Sequence, residues 1–384
     1  MTRTPGPTGR NVRILICAGG TGGHVYPALA AADSLRESRA TAGDLELLWV
    51  GSVGGMETEI VMEAGIKLET ILAGGVVGKG LSGGLIGLVK LAAGAGQALR
   101  IMAHFRPEAV LVTGGYTAIP VTLAGWLRRV PTAVYLPDVQ PGLAVRWAAR
   151  FSRRVLVTMA QSREYFNNKR VTVTGYPLRQ QIVRAMQANR QVARERFNLS
   201  TERLTVLVVG GSRGARSINR AALASGPGWI ASGAQVIHVS GHLDWSAVQQ
   251  LQRQLAPENR QHYHIFPYLT DEMGFALRVA DLVVARAGAS CLGEFPAFGL
   301  PAILVPYPHA WHYQRSNAEV LSGCGAAEWI EDRKIQQVLG PTVGELLRDR
   351  VRLAAMGRQA RALAVPKAAD RVAAELISMV AESS

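Results

Sequence analysis

Short apolar runs alternate along the chain with amphipathic stretches, and several of the runs end in glycines. The first run, Val12–Ala18, leads into Gly19–Gly23, and a helical pattern follows over Pro27–Arg36. Strands that alternate with helices form a parallel sheet with helices on both faces, because each helix carries the chain back across the sheet. The same pattern predicts five further strands, Leu45–Val50, Ala109–Thr113, Thr132–Leu136, Arg154–Thr158 and Val171–Thr174.

A second series begins at Leu204–Val209 and again runs into a glycine-rich loop, Gly210–Gly214. Four more strands are predicted in it, Gln235–Ser240, His262–Phe266, Leu282–Ala285 and Ala302–Val305. The chain has 384 residues, more than one ordinary hydrophobic core accommodates. The sequence therefore predicts an α/β protein with two parallel-sheet domains over residues 1–175 and 176–355. Residues 356–384 are expected to form a C-terminal helix that packs back on the first domain.

Two polar stretches are expected to be helical outside the alternating pattern. One is Gln187–Glu202, which precedes the second sheet, and the other is Val351–Ser384. Pro366 lies inside the latter, and a proline within a helix kinks or breaks it. We therefore expect the C-terminal helix to bend or divide at this point.

The two glycine-rich loops have the design of phosphate sites. Glycine lets the backbone approach an anion closely, and the N-terminus of the following helix supplies N–H groups and a positive dipole end. A dinucleotide site is disfavoured because the loop after Gly20 lacks the third glycine and Leu45–Val50 ends in Gly51-Ser52 without a carboxylate. A Walker loop is excluded because no Lys-Ser/Thr pair follows. The alternative is that these glycine-rich segments are only tight turns. It is less favoured because such a loop follows the first strand of both predicted domains.

His24 closes the first loop and is the candidate general base. Histidine suits proton abstraction from a sugar hydroxyl near neutral pH. A helix cap or a structural histidine would also occupy this position, and the sequence does not decide between these roles.

The segment from residue 280 to 318 holds the densest group of candidate ligand contacts. Gly288-Ala289 is expected to begin a helix and Glu294 to lie about two turns along it, where its carboxylate accepts from both ribose hydroxyls. Gln314 and Asn317 are spaced to share one helical face, and their amides suit sugar hydroxyls. The sequence contains no Asp-x-Asp pair, so we expect helix dipoles and Arg179, rather than a metal, to hold a diphosphate.

Composition and charge bear on the partners. The net charge is +14 and the pI about 10.2, which favours anionic partners, although arginine preference alone also explains it. Nucleic acid is not expected, because the basic residues are spread along the chain and aromatic residues are only 6%. The segment Val76–Met102 is apolar with scattered cations, and Trp126 precedes Arg128-Arg129. These features fit either a membrane-surface contact or an ordinary buried helix.

Together these segments resemble the MurG family of peptidoglycan N-acetylglucosaminyltransferases, which are glycosyltransferase family 28 enzymes of the GT-B fold. The resemblance covers nearly the whole chain after about Val12. The order and spacing of its parts make it specific: Gly19–Pro27, Gly114–Tyr116, Gly210–Arg216, Gly288-Ala289 with Glu294, Gly299–Pro301, Gln314 and Asn317-Ala318. In that fold, two Rossmann-like parallel-sheet domains face each other across a cleft.

The resemblance implies a reaction and its partners. N-Acetylglucosamine would pass from UDP-N-acetylglucosamine to the 4-hydroxyl of undecaprenyl-diphospho-N-acetylmuramoyl-pentapeptide, lipid I. The product would be lipid II, with inversion at the anomeric carbon and without a metal or other cofactor. The protein would act as a peripheral enzyme on the anionic cytoplasmic face of the cell membrane, with the first domain facing the membrane.

The resemblance also implies roles for the matching residues. His24 would be the catalytic base. The acceptor would contact Gly20, Gly114, Gly115, Tyr116 and Asp138. The donor would contact Thr21, Gly22, Gly23, Arg179, Gly211, Ser212, Gly214, Ala289, Glu294 and Gln314.

Two departures from the family pattern keep other acceptors open. The family usually carries a His-Glu-x-Asn stretch after the fifth strand, where this chain reads Leu136–Gly142, with Asp138 as the substitute polar group. Cys291 stands where the family usually has threonine, and a thiol is a weaker donor than a hydroxyl. The alternatives are a diacylglycerol glycosyltransferase, a UDP-N-acetylglucosamine epimerase, or a binding module without catalytic activity.

Overall fold

The computed structural model describes residues 11–39, 44–73, 80–166, 170–211, 215–308 and 313–383. The chain divides into two compact units. The first comprises the described residues up to Arg179 and those from Lys367 onward, and the second runs from Gln180 to Pro366. The domain border predicted after residue 175 therefore lies four residues before Arg179, where the first part of this unit ends.

The first unit is built on a seven-stranded, fully parallel sheet in the order β3-β2-β1-β4-β5-β6-β7. Its strands are β1 Val12–Cys17, β2 Leu45–Ser52, β3 Lys67–Ile71, β4 Ala109–Val112, β5 Thr132–Leu136, β6 Arg154–Val157 and β7 Val171–Val173. Its helices are α1 Gly22–Arg39, α2 Glu57–Glu63, α3 Gly80–Phe105, α4 Ala118–Leu127, α5 Leu143–Phe151 and, at the C-terminus, α16 Ala368–Ala381. The central strands are buried on both faces, which explains their continuous apolar runs.

The second unit repeats this design with six parallel strands in the order β10-β9-β8-β11-β12-β13. The strands are β8 Leu204–Val209, β9 Ala234–Val239, β10 Tyr263–Phe266, β11 Leu282–Ala285, β12 Ala302–Leu304 and β13 Ala327–Trp329. The helices are α6 Gln180–Gln187, α7 Arg190–Arg196, α8 Arg216–Ala231, α9 Trp245–Arg253, α10 Pro257–Arg260, α11 Met273–Val279, α12 Glu294–Phe298, α13 Tyr313–Gly323, α14 Ile335–Arg348 and α15 Arg350–Ala362.

Both sheets change direction of winding at one point, between β1 and β4 in the first unit and between β8 and β11 in the second. In open parallel sheets, ligands bind outside the carboxyl ends of the strands at such a switch point, because the loops there separate to opposite faces. The glycines that follow β1, β4 and β8 lie at these points. The fold therefore places the loops predicted to bind phosphate at the sites that the topology favours for ligands.

Three sequence-based expectations are corrected by the structure. The edge strands β3 and β13 were not predicted. The stretch from Gly288 does not form one helix: a 3-10 turn spans Ala289–Leu292, and α12 begins anew at Glu294. The polar stretch Gln187–Glu202 contains only the short helix α7, which Asn189 caps by accepting from the backbone N–H of Gln191 at 2.8 Å.

The helical C-terminus divides at Pro366, as expected. Lys367 adopts a left-handed backbone conformation with φ of 56°, and α16 then packs against α1 and contributes to the core of the first unit. α15 instead packs on α12 in the second unit. Arg154, which is buried on β6, holds α16 through ion pairs with Glu375 and Glu382.

Candidate active site

His24 lies on the first turn of α1, immediately after the loop at the carboxyl end of β1. Its backbone N–H donates to the carbonyl of Thr21 at 3.0 Å, and its Nδ1 is 3.1 Å from the Thr21 hydroxyl. Gly20 has φ of +89°, a conformation that side-chain-bearing residues rarely adopt. Thr21 thus holds His24 twice, through its carbonyl to the His24 backbone N–H and through its hydroxyl to the imidazole.

Gly114 and Gly115, which follow β4, lie against the first loop. A Cβ atom on Gly114 would be 2.5 Å from Cδ2 of His24, and one on Gly115 would be 2.8 Å from the carbonyl oxygen of Gly19. Both glycines have positive φ, +134° and +85°. The hydroxyl of Thr113 donates to the His24 carbonyl at 2.9 Å. Only glycine permits this approach, so the two loops form one continuous surface around the imidazole.

Asp138, on the loop after β5, is the charged neighbour of this histidine. Burial lowers the pKa of His24 below its usual 6.5, and the Asp138 carboxylate opposes that shift by favouring the imidazolium. The lowered pKa of His24 favours the neutral imidazole, which is the form that accepts a proton. Sequence reasoning placed Asp138 only on the acceptor side, whereas the structure also gives it an electrostatic role toward His24.

Tyr116 and Arg179 complete the predicted residues of the first unit. Tyr116 is 63% exposed beside the loop of Gly114 and Gly115. The Arg179 guanidinium lies 4.4 Å from the ring centroid of Tyr26 on α1. Gly22 leaves room for that ring, since a Cβ there would be 2.9 Å from its Cε2. Arg179 thus lies within the first unit, next to the glycine-rich loop.

Glu57 is a residue of this region that sequence reasoning missed. It is fully buried, and its Oε1 accepts from the backbone N–H and the hydroxyl of Ser52, at 2.7 and 2.8 Å. Its carboxylate packs against Gly19, Gly51 and Gly55, where a Cβ atom would lie 2.7, 3.0 and 2.2 Å from Oε1. The carboxylate therefore supports the start of the first glycine-rich loop from beneath. The sequence signal is only local, since Glu57 lies two residues after Gly55 in the segment that follows the predicted strand Leu45–Val50, and its burial is evident only from the structure.

In the second unit, the predicted donor contacts gather at the carboxyl ends of β8, β11 and β12. Gly211 follows β8 with φ of +88°, while Ser212 and Gly214 lie outside the described residues. Ala289 is buried in the 3-10 turn after β11, and Glu294 is the first residue of α12. The break at Gly293 brings Glu294 to a helix start instead of the interior that the sequence predicted.

Gln314 and Asn317 have different surroundings, although both lie on α13. The Gln314 Oε1 accepts from the backbone N–H of Tyr307 at 2.9 Å, which ties the loop after β12 to α13. Asn317 is fully buried and donates to the carbonyl of Ala287 at 3.0 Å. Asn317 therefore holds the loop after β11 and does not share an exposed face with Gln314.

Family models match the two units in order. A model described as the glycosyltransferase family 28 N-terminal domain matches residues 14–157, and one described as the family's C-terminal domain matches residues 205–372. A curated relative from Roseiflexus sp. (strain RS-1) is 39% identical, and the alignment covers 96% of this chain and 95% of the relative. Its name is "UDP-N-acetylglucosamine--N-acetylmuramyl-(pentapeptide) pyrophosphoryl-undecaprenol N-acetylglucosamine transferase".

Solved structures agree with the fold. The crystal structure of Acinetobacter baumannii MurG superposes with a TM-score of 0.75 at 26% identity and covers 96% of this chain and 99% of its own. A UDP-GlcNAc 2-epimerase from Neisseria meningitidis gives 0.67 at 12% identity over 96% of this chain and all of its own, a likeness in fold alone. The two parallel-sheet domains and the GT-B likeness confirm the predicted fold class. With both domain models matched and a relative aligned along nearly its whole length, the chain belongs to glycosyltransferase family 28.

Proposed function

We propose that this protein transfers N-acetylglucosamine from UDP-N-acetylglucosamine to lipid I, undecaprenyl-diphospho-N-acetylmuramoyl-pentapeptide, and thereby forms lipid II for peptidoglycan synthesis. The observation that carries the proposal is the near full-length match to a relative named for this transfer. The site agrees with it, because each unit brings a glycine-rich loop to the switch point of its sheet.

His24 acts as the general base in this proposal. The 4-hydroxyl oxygen of the acceptor attacks the anomeric carbon while the hydroxyl proton passes to the imidazole. The new glycosidic C–O bond forms as the bond from that carbon to the β-phosphate oxygen breaks, and UDP leaves with the electron pair. Attack from the face opposite the leaving group inverts the anomeric centre. The lowered pKa of His24 supports this role, since it favours the neutral imidazole and a protonated imidazole accepts no proton.

The remaining predicted residues divide between the two substrates. Gly20, Gly114, Gly115, Tyr116 and Asp138 are proposed to contact the acceptor. The donor contacts are proposed to be Thr21, Gly22, Gly23, Arg179, Gly211, Ser212, Gly214, Ala289, Glu294 and Gln314. Helix ends and Arg179 would hold the diphosphate, so we propose that the reaction needs no metal.

A face of the first unit fits contact with an anionic membrane. Trp126 at the end of α4 is 53% exposed, and its ring meets Phe151 of α5 at 5.5 Å between centroids, with Trp147 next to Phe151 at 4.6 Å. Exposed cations border these rings, namely Arg128, Arg129, Arg146 and Arg150. We call these seven residues the aromatic–basic face. Aromatic rings prefer the membrane interface, and each arginine gains from anionic headgroups.

Part of the apolar segment predicted for this role also lies exposed. Val89 is 62% exposed on α3 beside exposed Lys90, whereas residues 76–79 lie outside the described residues. Across the described residues, no helix has both the length and the apolarity needed to cross a bilayer. We propose a peripheral enzyme on the cytoplasmic face of the cell membrane.

The membrane proposal is tested by sedimentation with vesicles of phosphatidylglycerol or of phosphatidylcholine. We expect binding to the anionic vesicles that weakens with salt and that is reduced in Trp126→Ser. Val351→Ser, which removes an exposed apolar side chain from the second unit, is the control. Equal binding by Trp126→Ser and wild type would contradict the role of the aromatic–basic face.

A transfer assay tests the function itself. UDP release from UDP-N-acetylglucosamine is measured with lipid I, with diacylglycerol and with neither, each with and without EDTA. We expect release with lipid I alone, unaffected by EDTA. Release only with diacylglycerol would replace the acceptor, and conversion of the donor to its epimer without any acceptor would replace the reaction.

A further inference from the structure

The first turn of α8, directly after the second glycine-rich loop, is held by side chains from neighbouring loops. Asp244, on the 3-10 turn after β9, accepts from Arg216 Nε at 3.1 Å and from Asn219 Nδ2 at 3.0 Å. Asn219 also donates to the carbonyl of Ser240 at 2.9 Å. Asp244 and Asn219 are buried, whereas the Arg216 side chain is 71% exposed. One buried carboxylate thus connects the interior of the unit to an arginine at the start of the helix.

From Asp244, a chain of hydrogen bonds runs into the core through Asn219 and His238 to Tyr263, and the donor of each bond can be assigned. The Asn219 amide must turn its N–H groups toward Ser240 and Asp244, so its oxygen accepts from His238 Nε2 at 2.9 Å. His238 Nδ1 is then the acceptor, and the Tyr263 hydroxyl donates to it at 3.0 Å. Burial lowers the pKa of His238 to about 3, so the ring stays neutral and keeps this tautomer. Each of these buried groups has its partner, which makes the position of Asn219 on α8 well defined.

A second set of contacts holds the same helix turn from the side of β11. The Ser217 hydroxyl donates to Asp332 Oδ1 at 2.6 Å and accepts from Arg286 Nη2 at 2.9 Å. Arg286 is itself paired with Asp332 at 2.5 Å and donates to the carbonyl of Val305 at 3.1 Å. Loops after β9, β11, β12 and β13 therefore all contribute to fixing the first turn of α8.

We propose that Asp244 is a positioning residue for the donor diphosphate: it fixes Arg216 and the N-terminal turn of α8, so that this helix start meets the diphosphate in a preorganised arrangement. The inference rests on the proposed function, since it names how the second unit binds UDP-N-acetylglucosamine. None of its buried members is proposed to contact the substrate.

The physical reason is that an anion site made of backbone N–H groups depends on orientation. The N–H groups of a helix start point along the axis, and their attraction to an anion declines within one turn. Because we propose that no metal takes part, only the Arg179 guanidinium would remain to compensate for a rotated or frayed turn. Asp244 also limits where the long Arg216 side chain can place its charge. Losing this carboxylate should therefore weaken diphosphate binding more than nucleoside binding.

The test compares Asp244→Asn with wild type by calorimetry with UDP alone and with uridine monophosphate. We expect the Kd of UDP to rise about tenfold and that of the monophosphate by about threefold or less. In the transfer assay, the KM for UDP-N-acetylglucosamine should rise by a similar factor while kcat and the KM for lipid I stay within about twofold.

Asp281→Asn is the matched control. Asp281 is also paired with an arginine, Arg190 at 2.5 Å, and accepts from the backbone N–H of Thr205 at 2.8 Å, but it precedes β11 at the opposite end of the same sheet. We expect both variants to lose thermal stability and Asp281→Asn to keep the wild-type Kd for UDP. Equal changes in Kd for the two variants would reduce Asp244 to a structural residue.

Arg216→Gln removes the exposed partner of the same ion pair. It keeps the proposal testable if Asp244→Asn does not fold. It should also raise the Kd for UDP, and the double variant should be no worse than the weaker-binding single variant, because both act through one contact. An unchanged Kd for UDP in Arg216→Gln, or fully additive losses, would overturn the inference. If the wild-type protein itself failed to bind UDP, the proposed function would fail instead, so the two outcomes are separable.

Discussion

In the first unit, the winding of the sheet changes direction between β1 and β4, and the loops after these strands surround His24, with Asp138 nearby and Glu57 buried under the first loop. In the second unit, the change lies between β8 and β11, and Arg216 and Arg286 follow these strands. The strand order around the two points is the same. The first point carries an imidazole with a lowered pKa and an acidic neighbour, whereas the second carries the start of α8, which two arginine–aspartate pairs hold. Under the proposed function, one topology would serve proton transfer in one unit and anion binding in the other, and the difference would lie in loop side chains.

The largest expected effect is on the first of these points. Removing the imidazole in His24→Ala should lower kcat by about 10²–10⁴-fold, the usual contribution of a general base, and leave the Kd for UDP nearly unchanged. Steady-state kinetics and calorimetry measure the two quantities. His104→Ala, which removes an exposed histidine from the end of α3, is the control. Unchanged turnover in His24→Ala would remove this residue from the mechanism.

The second expected effect is on the other unit. Glu294→Ala should weaken UDP binding by about 1–3 kcal/mol, because the ribose hydroxyls lose a charged acceptor. Calorimetry with UDP measures it, and the exposed Glu345→Ala on α14 serves for comparison. Equal UDP affinity in the Glu294 variant and wild type would reject the ribose assignment, and a loss confined to kcat would move this residue to the chemical step.

A smaller effect tests the close contact between the two loops of the first unit. Gly114→Ala introduces a Cβ that would lie 2.5 Å from His24 and forces an alanine to φ of +134°, so the imidazole has to move. We expect kcat/KM to fall about tenfold, since misplacing a catalytic group is costly. Gly96→Ala, at a position on α3 with open space around it, should leave activity unchanged. Full activity in Gly114→Ala would show that this contact does not position the base.

The smallest effect is a shift in pH dependence. His24 accepts a proton only when it is neutral, so activity is present above its pKa and is lost as the pH falls through that pKa. Because the pKa of His24 is lowered from its usual 6.5, we expect the acidic limb of the kcat/KM profile below that pH. In Asp138→Asn, the charge that favours the imidazolium is gone, so the limb should move to still lower pH. A pH–rate profile measures this, with Asp33→Asn on α1 as control. A limb that moves to higher pH would reverse the proposed sign.

The sequence predicted the central strands of both sheets well because each is buried on both faces and reads as a continuous apolar run. Lys67–Ile71 escaped prediction because an edge strand is half exposed and alternates with polar residues. Ala327–Trp329 is too short to show any periodicity. The sequence also did not predict the break at Gly293 between the 3-10 turn and α12, since the apolar residues around Glu294 do not show where the turn ends.

The site was predictable where backbone chemistry defines it and much less so where side chains from distant loops meet. The glycine loops and His24 stand next to one another in the sequence, so their relation is local. The charge of Asp138 acts on His24 across 114 positions, and Asp244 pairs with Arg216 across 28. Such pairs form because the strand order brings loops that are distant in the sequence to the same edge of a sheet. A single sequence does not show that strand order.

A crystal structure with UDP bound tests most directly the division of labour between the two units. We predict that the nucleotide lies at the carboxyl edge of the second sheet, with its ribose hydroxyls on Glu294 and its phosphates at the start of α8. A nucleotide bound instead against the loops of the first unit, away from β8 and β11, would contradict the account.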